Sequence, residues 1–475
     1  MASLRNLPRA VGFSLIEMRN LRAILLVPVL LALLAGTAVA KGPPTKPAAG
    51  VDKSFGAKGV AKIATGGASP EGSVRMALAP NGRVYALQGN LLLAFEASGK
   101  PARDFGKGGR VRVESTRGEL KPSSLAVDSQ GHVLVSGTIT LYPYMPDPSI
   151  PPGAETSTFT GLHEAFVDRY LEDGSLDTPF GNGGESDTNF GLPRPTGQPG
   201  KGVEFERPLV EATTLTIDPQ DRPVVGGTYS SALYFCGYQN EHPVPFVGRL
   251  TATGSIDTSY GGKGYVAGGE GGILGLAETP EGGVATLSNA RSCGPRSDVL
   301  PSVFDSLTEN GEQSPALDPA RPTVYTGSQL AVDAKGRSLL TQFDNPYSED
   351  PVKLLRLLPS GAVDTSFGFG GGVPLVGDVT SPGAIAIDAK DRTVVAGSGI
   401  EHPDGPRLVR YTAAGKRDWK FGHKGLLEGP IANDKRGSVT AMAIDGKGRI
   451  YVAGPVESKT LKTGHGIQIT RFLAN

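Results

Sequence analysis

The sequence predicts an all-β protein: a seven-bladed β-propeller of four-stranded blades, closed by pairing of its N- and C-terminal strands. Three observations carry this. A short alternating hairpin recurs seven times, a glycine-rich element follows most copies, and the two ends of the chain hold complementary parts of one further unit. Composition agrees. Of 475 residues, 67 are Gly and 38 are Pro, which interrupt helices and long strands. Hydrophobic residues at 38% and charged residues at 20% supply a core and exclude a disordered chain.

The hairpin is an alternating apolar strand, a tight polar turn and a second alternating strand ending near Gly. Its clearest copies are SLAVDSQGHVLVSG (Ser124 to Gly137), TLTIDPQDRPVVGG (Thr214 to Gly227), AIAIDAKDRTVVAG (Ala384 to Gly397) and AMAIDGKGRIYVAG (Ala441 to Gly454). Weaker copies begin at Arg75, Gly275 and Leu330. The turns pair Asp128 with Gly131, Asp218 with Asp221 and Asp445 with Gly448. In such turns the Asp accepts backbone N–H groups, and the later residue tolerates the positive φ that closes the hairpin.

The second element reads Arg-(Leu/Tyr)-x-x-x-Gly-x-x-Asp-x-x-(Phe/Tyr)-Gly-x-x-Gly, at Arg169 to Gly184, Arg249 to Gly264, Arg356 to Gly371 and Arg410 to Gly425. An eroded copy begins at Ala94, and a more eroded one, SLTENGEQSPALDP, begins at Ser306. Placed after a hairpin, the element supplies a third strand, a glycine turn and a fourth strand. The seventh hairpin is followed by a third strand, Ile467 to Leu473, and the missing Asp-x-x-Phe-Gly-x-x-Gly portion stands at the other end as Val51 to Gly59. Joined, the ends make one blade and remove two exposed sheet edges. From Ala79 to Asp445 the spacing averages about 61 residues per blade.

This unit resembles the delta-60 repeat, a bacterial β-propeller-type repeat found mainly in exported proteins. The resemblance runs from Val51 onward and rests on the (Leu/Ile/Val)-Asp-x-x-(Phe/Tyr)-Gly-x-x-Gly element. Departures fall at Ala102, and at Ser314, Leu317 and Asp318 in the fourth unit. The resemblance implies architecture and leaves activity open.

Residues that repeat in every blade read as architecture, because packing repeats and chemistry seldom does. Asp52, Asp177, Asp257, Asp364 and Asp418 are expected to cap turns. The aromatics Phe55, Phe105, Phe180, Tyr260, Phe367 and Phe421 are expected to pin the turns between blades. Arg169, Arg249, Arg356, Arg410 and Arg471 are expected to pair with nearby acids. No Gly-x-Ser-x-Gly, His-Glu-x-x-His or Cys-x-x-Cys motif occurs, and the six histidines are scattered over different units. No catalytic residue, metal site or cofactor is assigned.

Two connections between second and third strands are long and aromatic, and both should emerge on one face of the disc. They carry Tyr142 and Tyr144 in the second unit, and Tyr229, Tyr234, Phe235 and Tyr238 in the third. These are the candidate binding residues. Cys236 and Cys293 follow the second strands of adjacent units, and a disulfide between them is expected in an oxidising compartment. In the chain-entropy picture it would contribute about 4 kcal/mol.

Residues Ala23 to Ala40 form an apolar run behind Arg19 and Arg22, closed by Ala38-Val39-Ala40: the layout of a secretory signal peptide over residues 1–40, with Met18 an alternative start. A Pro-rich leader over 41–50 precedes the propeller at 51–475. The first 40 residues hold four Arg (Arg5, Arg9, Arg19, Arg22) against Glu17, which leaves 43 basic against 46 acidic residues beyond them. That balance excludes nucleic acid as the main partner. The sequence thus predicts an exported, monomeric, non-catalytic module that binds an unidentified protein or glycan at or beyond the bacterial cell surface. Membrane contact is expected only if the apolar run is retained. A hydrolase or lyase with its site at the axial channel is the alternative.

Overall fold

The computed structural model describes residues 50–474 apart from 66–72, 142–161, 193–208, 231–242, 270, 292–298, 322–324, 344–351, 376–378, 380, 399–404, 431–435 and 459–460. Residues 1–40, where a signal peptide is expected, and all but the last residue of the expected leader lie outside the described residues.

The fold is a seven-bladed β-propeller. The innermost strands are, in blade order, Arg75–Leu78, Gly118–Val127, Leu209–Ile217, Gly272–Glu278, Tyr325–Val332, Ser381–Ile387 and Ala441–Ile444. Each pairs antiparallel with the second strand of its own blade, and the strands then follow in chain order outward. Each innermost strand also packs beside that of the next blade, and the seventh packs against the first, so the array is a closed ring. At that junction Val74 N–H donates to Thr440 Oγ1 (2.9 Å), and the same hydroxyl donates back to the Val74 carbonyl (3.0 Å).

Closure uses both chain ends, as the split motif predicts. His465–Leu473 is the third strand of blade 7. Gly50–Val51 pairs with it through Gly50↔Leu473 and Val51↔Phe472, and Val60–Ala64 through Val60↔Thr470 to Ala64↔Gly466. The fourth blade is reduced. Among the described residues its sheet has three strands, Gly272–Glu278, Val284–Arg291 and Val299–Leu307. Erosion of its motif removes the glycine turn that would aim a fourth strand back along the third.

The core is distributed around the ring. Seven apolar clusters lie one at each blade interface, for example Tyr85, Phe105 and Phe166 between blades 1 and 2, and Phe55, Leu93 and Tyr451 between blades 7 and 1. Sheets stacked face to face around an axis bury both faces, which is why second strands such as Val84–Gln88 are buried at every position.

Candidate binding face and axial channel

One face of the disc carries the hairpin turns and the connections from third to fourth strands. Its chemistry repeats blade by blade. In the hairpin turn of blade 3, Asp218 Oδ1 accepts from the backbone N–H of Gln220 (3.0 Å) and Arg222 (2.9 Å), while Oδ2 takes Arg222 Nε (2.6 Å). Asp333, Asp388 and Asp445 do the same with Arg337, Arg392 and Arg449. In the glycine turns, Arg169 Nε donates to Asp177 Oδ2 (2.7 Å) and Nη1 to the Ala252 carbonyl of the next blade (2.7 Å), with the guanidinium 4.5 Å from the Phe180 ring centre. Arg249, Arg356, Arg410 and Arg471 lie likewise over Tyr260, Phe367, Phe421 and Phe55. A backbone bond then crosses to the following blade, as from Gly181 N–H to Thr253 O (2.8 Å). Buried cations paired and stacked in this way are structural clamps.

Eroded copies of the motif are repaired by other residues. Blade 1 has Ala94 in the arginine position and Ala102 in the aspartate position. Arg83, at the end of its hairpin turn, takes the role, because Ala79 in that turn offers no carboxylate to hold it. Its guanidinium bonds Asp104, and Nη1 donates to Glu172 O of blade 2 (2.7 Å). In blade 4, Arg321 Nε donates to Phe304 O (2.6 Å), and Arg321 and Phe304 together pack against Gly361 of blade 5. The sequence pattern missed both repairs, since neither arginine stands where the motif places one.

The opposite face carries the connections from second to third strands and from fourth strands to the next blade. These do not repeat. The first is Gly89–Asn90, whereas that of blade 2 joins strands ending at Leu141 and beginning at Leu162. Of the candidate binding residues, Tyr142, Tyr144, Tyr234, Phe235 and Tyr238 lie outside the described residues, as do Cys236 and Cys293. Tyr229 is described, and it is not a loop residue. It sits in strand Pro223–Ser230, 8% exposed, in a cluster with Phe190 and Phe246. It is corrected to a core residue, placed there because the strand extends further than the hairpin motif suggested.

The axial channel is walled by the innermost strands. In five of them the register shifts at one level, for example between Pro122 and Ser124 and between Ala212 and Thr214. Bulged Ser123 and Thr213 donate to the next strand at Ala212 O (2.7 Å) and Ile273 O (3.0 Å). Two charges break the repeat. Arg75 stands where other blades have Ser124, Thr214, Gly275, Gln329, Ala384 and Ala441. Its Nε donates to Ser123 O of blade 2 (2.8 Å), and surrounding protein lowers its pKa although water reaches it. Glu278 stands where the others have Leu78, Val127, Ile217, Val332, Ile387 and Ile444, and burial together with the Asp218 carboxylate raises its pKa. The two sit about 10 Å apart along the strand direction. Among the described residues no group of three His, Cys, Asp or Glu is arranged to hold a metal ion.

A buried acid cluster in blade 2 has no signal in the motif. Asp168 is 2% exposed on the third strand, and Glu185 and Asp187 flank it on the fourth. Arg117 bonds both Glu185 (3.2 Å) and Asp187. Burial, then Glu185 and Asp187, push the Asp168 pKa well above the usual carboxylate range; burial also pushes Asp187 up to about 6, against the pull of Arg117.

No family model and no curated protein matches the chain. Among solved structures it is similar to YCF48 bound to D1 peptide, at 8% identity over 89% of this chain and 97% of that one, TM-score 0.43. It is similar to a protein of unknown function from Dyadobacter fermentans at 10% identity over 88% and 100%, TM-score 0.37. A gluconolactonase from Xanthomonas campestris matches at 10% identity over 68% and 82%, TM-score 0.32. At these identities and TM-scores the likenesses carry no argument about activity or ligand.

Proposed function

We propose that this chain is an exported, monomeric, non-catalytic propeller that binds a protein or glycan through its variable face, at or beyond the bacterial cell surface. The observation that carries the reading is the contrast between the two faces. On one, the turns repeat and the glycine turns carry clamps to the next blade; on the other, connections range from Gly89–Asn90 to the stretch 142–161. A rigid disc with one invariant and one variable face is a scaffold for loop-borne recognition. The signal peptide and the Cys236–Cys293 disulfide, which would tie two neighbouring variable connections together, are part of the same proposal.

A glycan array probed with residues 47–475 tests it, compared with a Tyr142→Ala, Tyr144→Ala, Tyr234→Ala variant. Loss of binding by more than about tenfold is expected, as for removal of central aromatic anchors. Capture unchanged by the triple substitution refutes the loop reading.

The second reading, a hydrolase or lyase at the axis, is supported by Arg75 and Glu278, two charges at hairpin positions where the other six blades carry uncharged residues. Turnover of ester or lactone substrates abolished by Glu278→Gln would favour it over binding.

A further inference from the structure

We infer that the invariant face docks on an anionic lipid bilayer through a cationic arc over blades 6, 7 and 1, with Trp419 and Phe369 as its interfacial anchors. The proposal is independent of the N-terminal apolar run and goes beyond ligand binding at the variable face.

The glycine turn of blade 6 keeps every motif residue but differs from the other copies at the variable positions between them. Trp419 and Lys420 stand where blade 3 has Thr258 and Ser259 and blade 5 has Thr365 and Ser366. Arg417 replaces the aliphatic residue that is Leu176, Ile256 or Val363 elsewhere. Arg417 stacks on the indole at 4.8 Å from its centre, and its Nε donates to Lys424 O (3.1 Å), so the ring is held while Trp419 remains 65% exposed. In the equivalent turn of blade 5, Phe369 is 94% exposed. The two turns are joined by Gly368 N–H donating to Ala414 O (2.9 Å).

The charge around these rings is one-sided. Lys416, Lys420 and Lys424 of blade 6, Lys53 and Lys58 of blade 7 and Lys107 of blade 1 are exposed on this face, and among the described residues none joins an ion pair. The acids of the same turns are already engaged: Asp418 with Arg410, Asp52 with Arg471 and Asp104 with Arg83. Across the ring the same face carries exposed Glu309 and Glu312, and exposed Glu172 and Asp173 mark the edge of the arc where blade 2 meets blade 1. A chain with no overall surplus of base therefore concentrates cations on one arc, next to two projecting aromatics. Protruding rings with surrounding lysines suit a headgroup interface, where the rings enter the interfacial layer and the cations meet anionic lipid.

Trp419 is the chain's one tryptophan, so its emission reports insertion without a label. Residues 47–475 are the protein to use, since they hold all seven blades and both closing strands in one compact unit. Vesicles of phosphatidylglycerol and phosphatidylcholine (1:1) should co-sediment it and shift its emission to the blue, and pure phosphatidylcholine should do neither. Each cation near an anionic surface contributes about a fivefold factor, so changing Lys53, Lys107, Lys416 and Lys420 to Glu should weaken partitioning by more than about a hundredfold. Lys58 and Lys424 are left in place because their φ values, 58° and 51°, would confound the comparison. Trp419→Ala with Phe369→Ala should weaken sedimentation while the melting curve stays unchanged. No sedimentation by anionic vesicles, or partitioning unaltered in either variant, overturns the inference. So does a blue shift with soluble heparin but none with vesicles, which would mark a polyanion site.

Discussion

Arg471→Ala separates closure of the ring from the clamps found in every blade. Arg471 is 3% exposed, and its guanidinium makes three bonds to two other segments: Nε donates to Asp52 Oδ2 (2.8 Å), Nη2 to Ser54 Oγ (2.9 Å) and Nη1 to Ala97 O (2.6 Å). Burial opposes ionisation of Asp52, yet the Ser54 and Arg471 hydrogen bonds keep its pKa below the usual value. Removing the arginine leaves that carboxylate buried and uncompensated, at a cost of about 3–5 kcal/mol. Arg356→Ala is the matched control: Arg356 is 2% exposed, bonds Asp364 Oδ2 at 2.8 Å and stacks on Phe367, but every segment it joins is covalently mid-chain. Both variants should lose similar stability in urea titrations. Only Arg471→Ala should release the N-terminal strands, so that trypsin cuts at Lys53, Lys58 and Lys62 well below the global midpoint. Equal protection of those sites in the two variants, or a loss under about 1 kcal/mol for Arg471→Ala, would refute closure by the chain ends. Deleting residues 466–475 is the stronger perturbation. It removes the fully buried Ile467, Ile469 and Phe472, about 1.5–3 kcal/mol each, a sum comparable to the whole net stability of a domain.

Three further outcomes follow from the clamps and the buried acids. Asp168 and Asp187 have folded pKa values raised above the unfolded value of 3.8, so the folded state binds more protons and this site's contribution to stability falls as pH rises through about 6. The stability gained by Asp168→Asn over the parent should therefore grow from pH 4 to pH 8 in thermal or urea melts, and parallel pH profiles would contradict it. Gly254 has φ +86° and approaches blade 2 so closely that a Cβ would lie 2.6 Å from Gly181 N and 3.0 Å from its Cα. Gly254→Ala should cost more than about 2 kcal/mol, against about 1 for Gly183→Ala, where φ is +70° and nothing lies within 4 Å; equal costs would show that backbone strain alone matters. Arg83→Ala should lower the melting temperature by removing the clamp from blade 1, and adding Ala94→Arg with Ala102→Asp should recover much of the loss by restoring the motif. A melting temperature that does not recover would mean Arg83 acts otherwise than as the displaced clamp.

Repetition made the architecture readable. The alternation in SLAVDSQGHVLVSG and its six relatives demands strands with one turn between them, and Asp-x-x-Phe-Gly-x-x-Gly demands a glycine turn with positive φ. These are local requirements of backbone and side chain, so they survive in the linear pattern. The candidate sites were less legible. Tyr229 reads as a loop aromatic because the motif ends at Gly227, yet the strand runs on to Ser230 and buries the ring. Arg83 occupies the turn position of Arg222, yet the missing carboxylate at Ala79 turns it toward Asp104. Which partner a charged side chain finds depends on what the neighbouring blade leaves vacant.

By itself the sequence determined the number of blades, their internal order and the sharing of one blade between the chain ends, because each of these follows from short-range pattern counted along the chain. Only the tertiary structure decided which charges are cancelled and which remain. Asp418 is silenced by Arg410 while Lys416 and Lys420 beside it stay bare, and blades 6, 7 and 1 become neighbours only when the ring closes. Electrostatic pairing acts through space over a few ångströms, and residues 53, 107 and 420 share one surface solely because the strands between them curve around an axis.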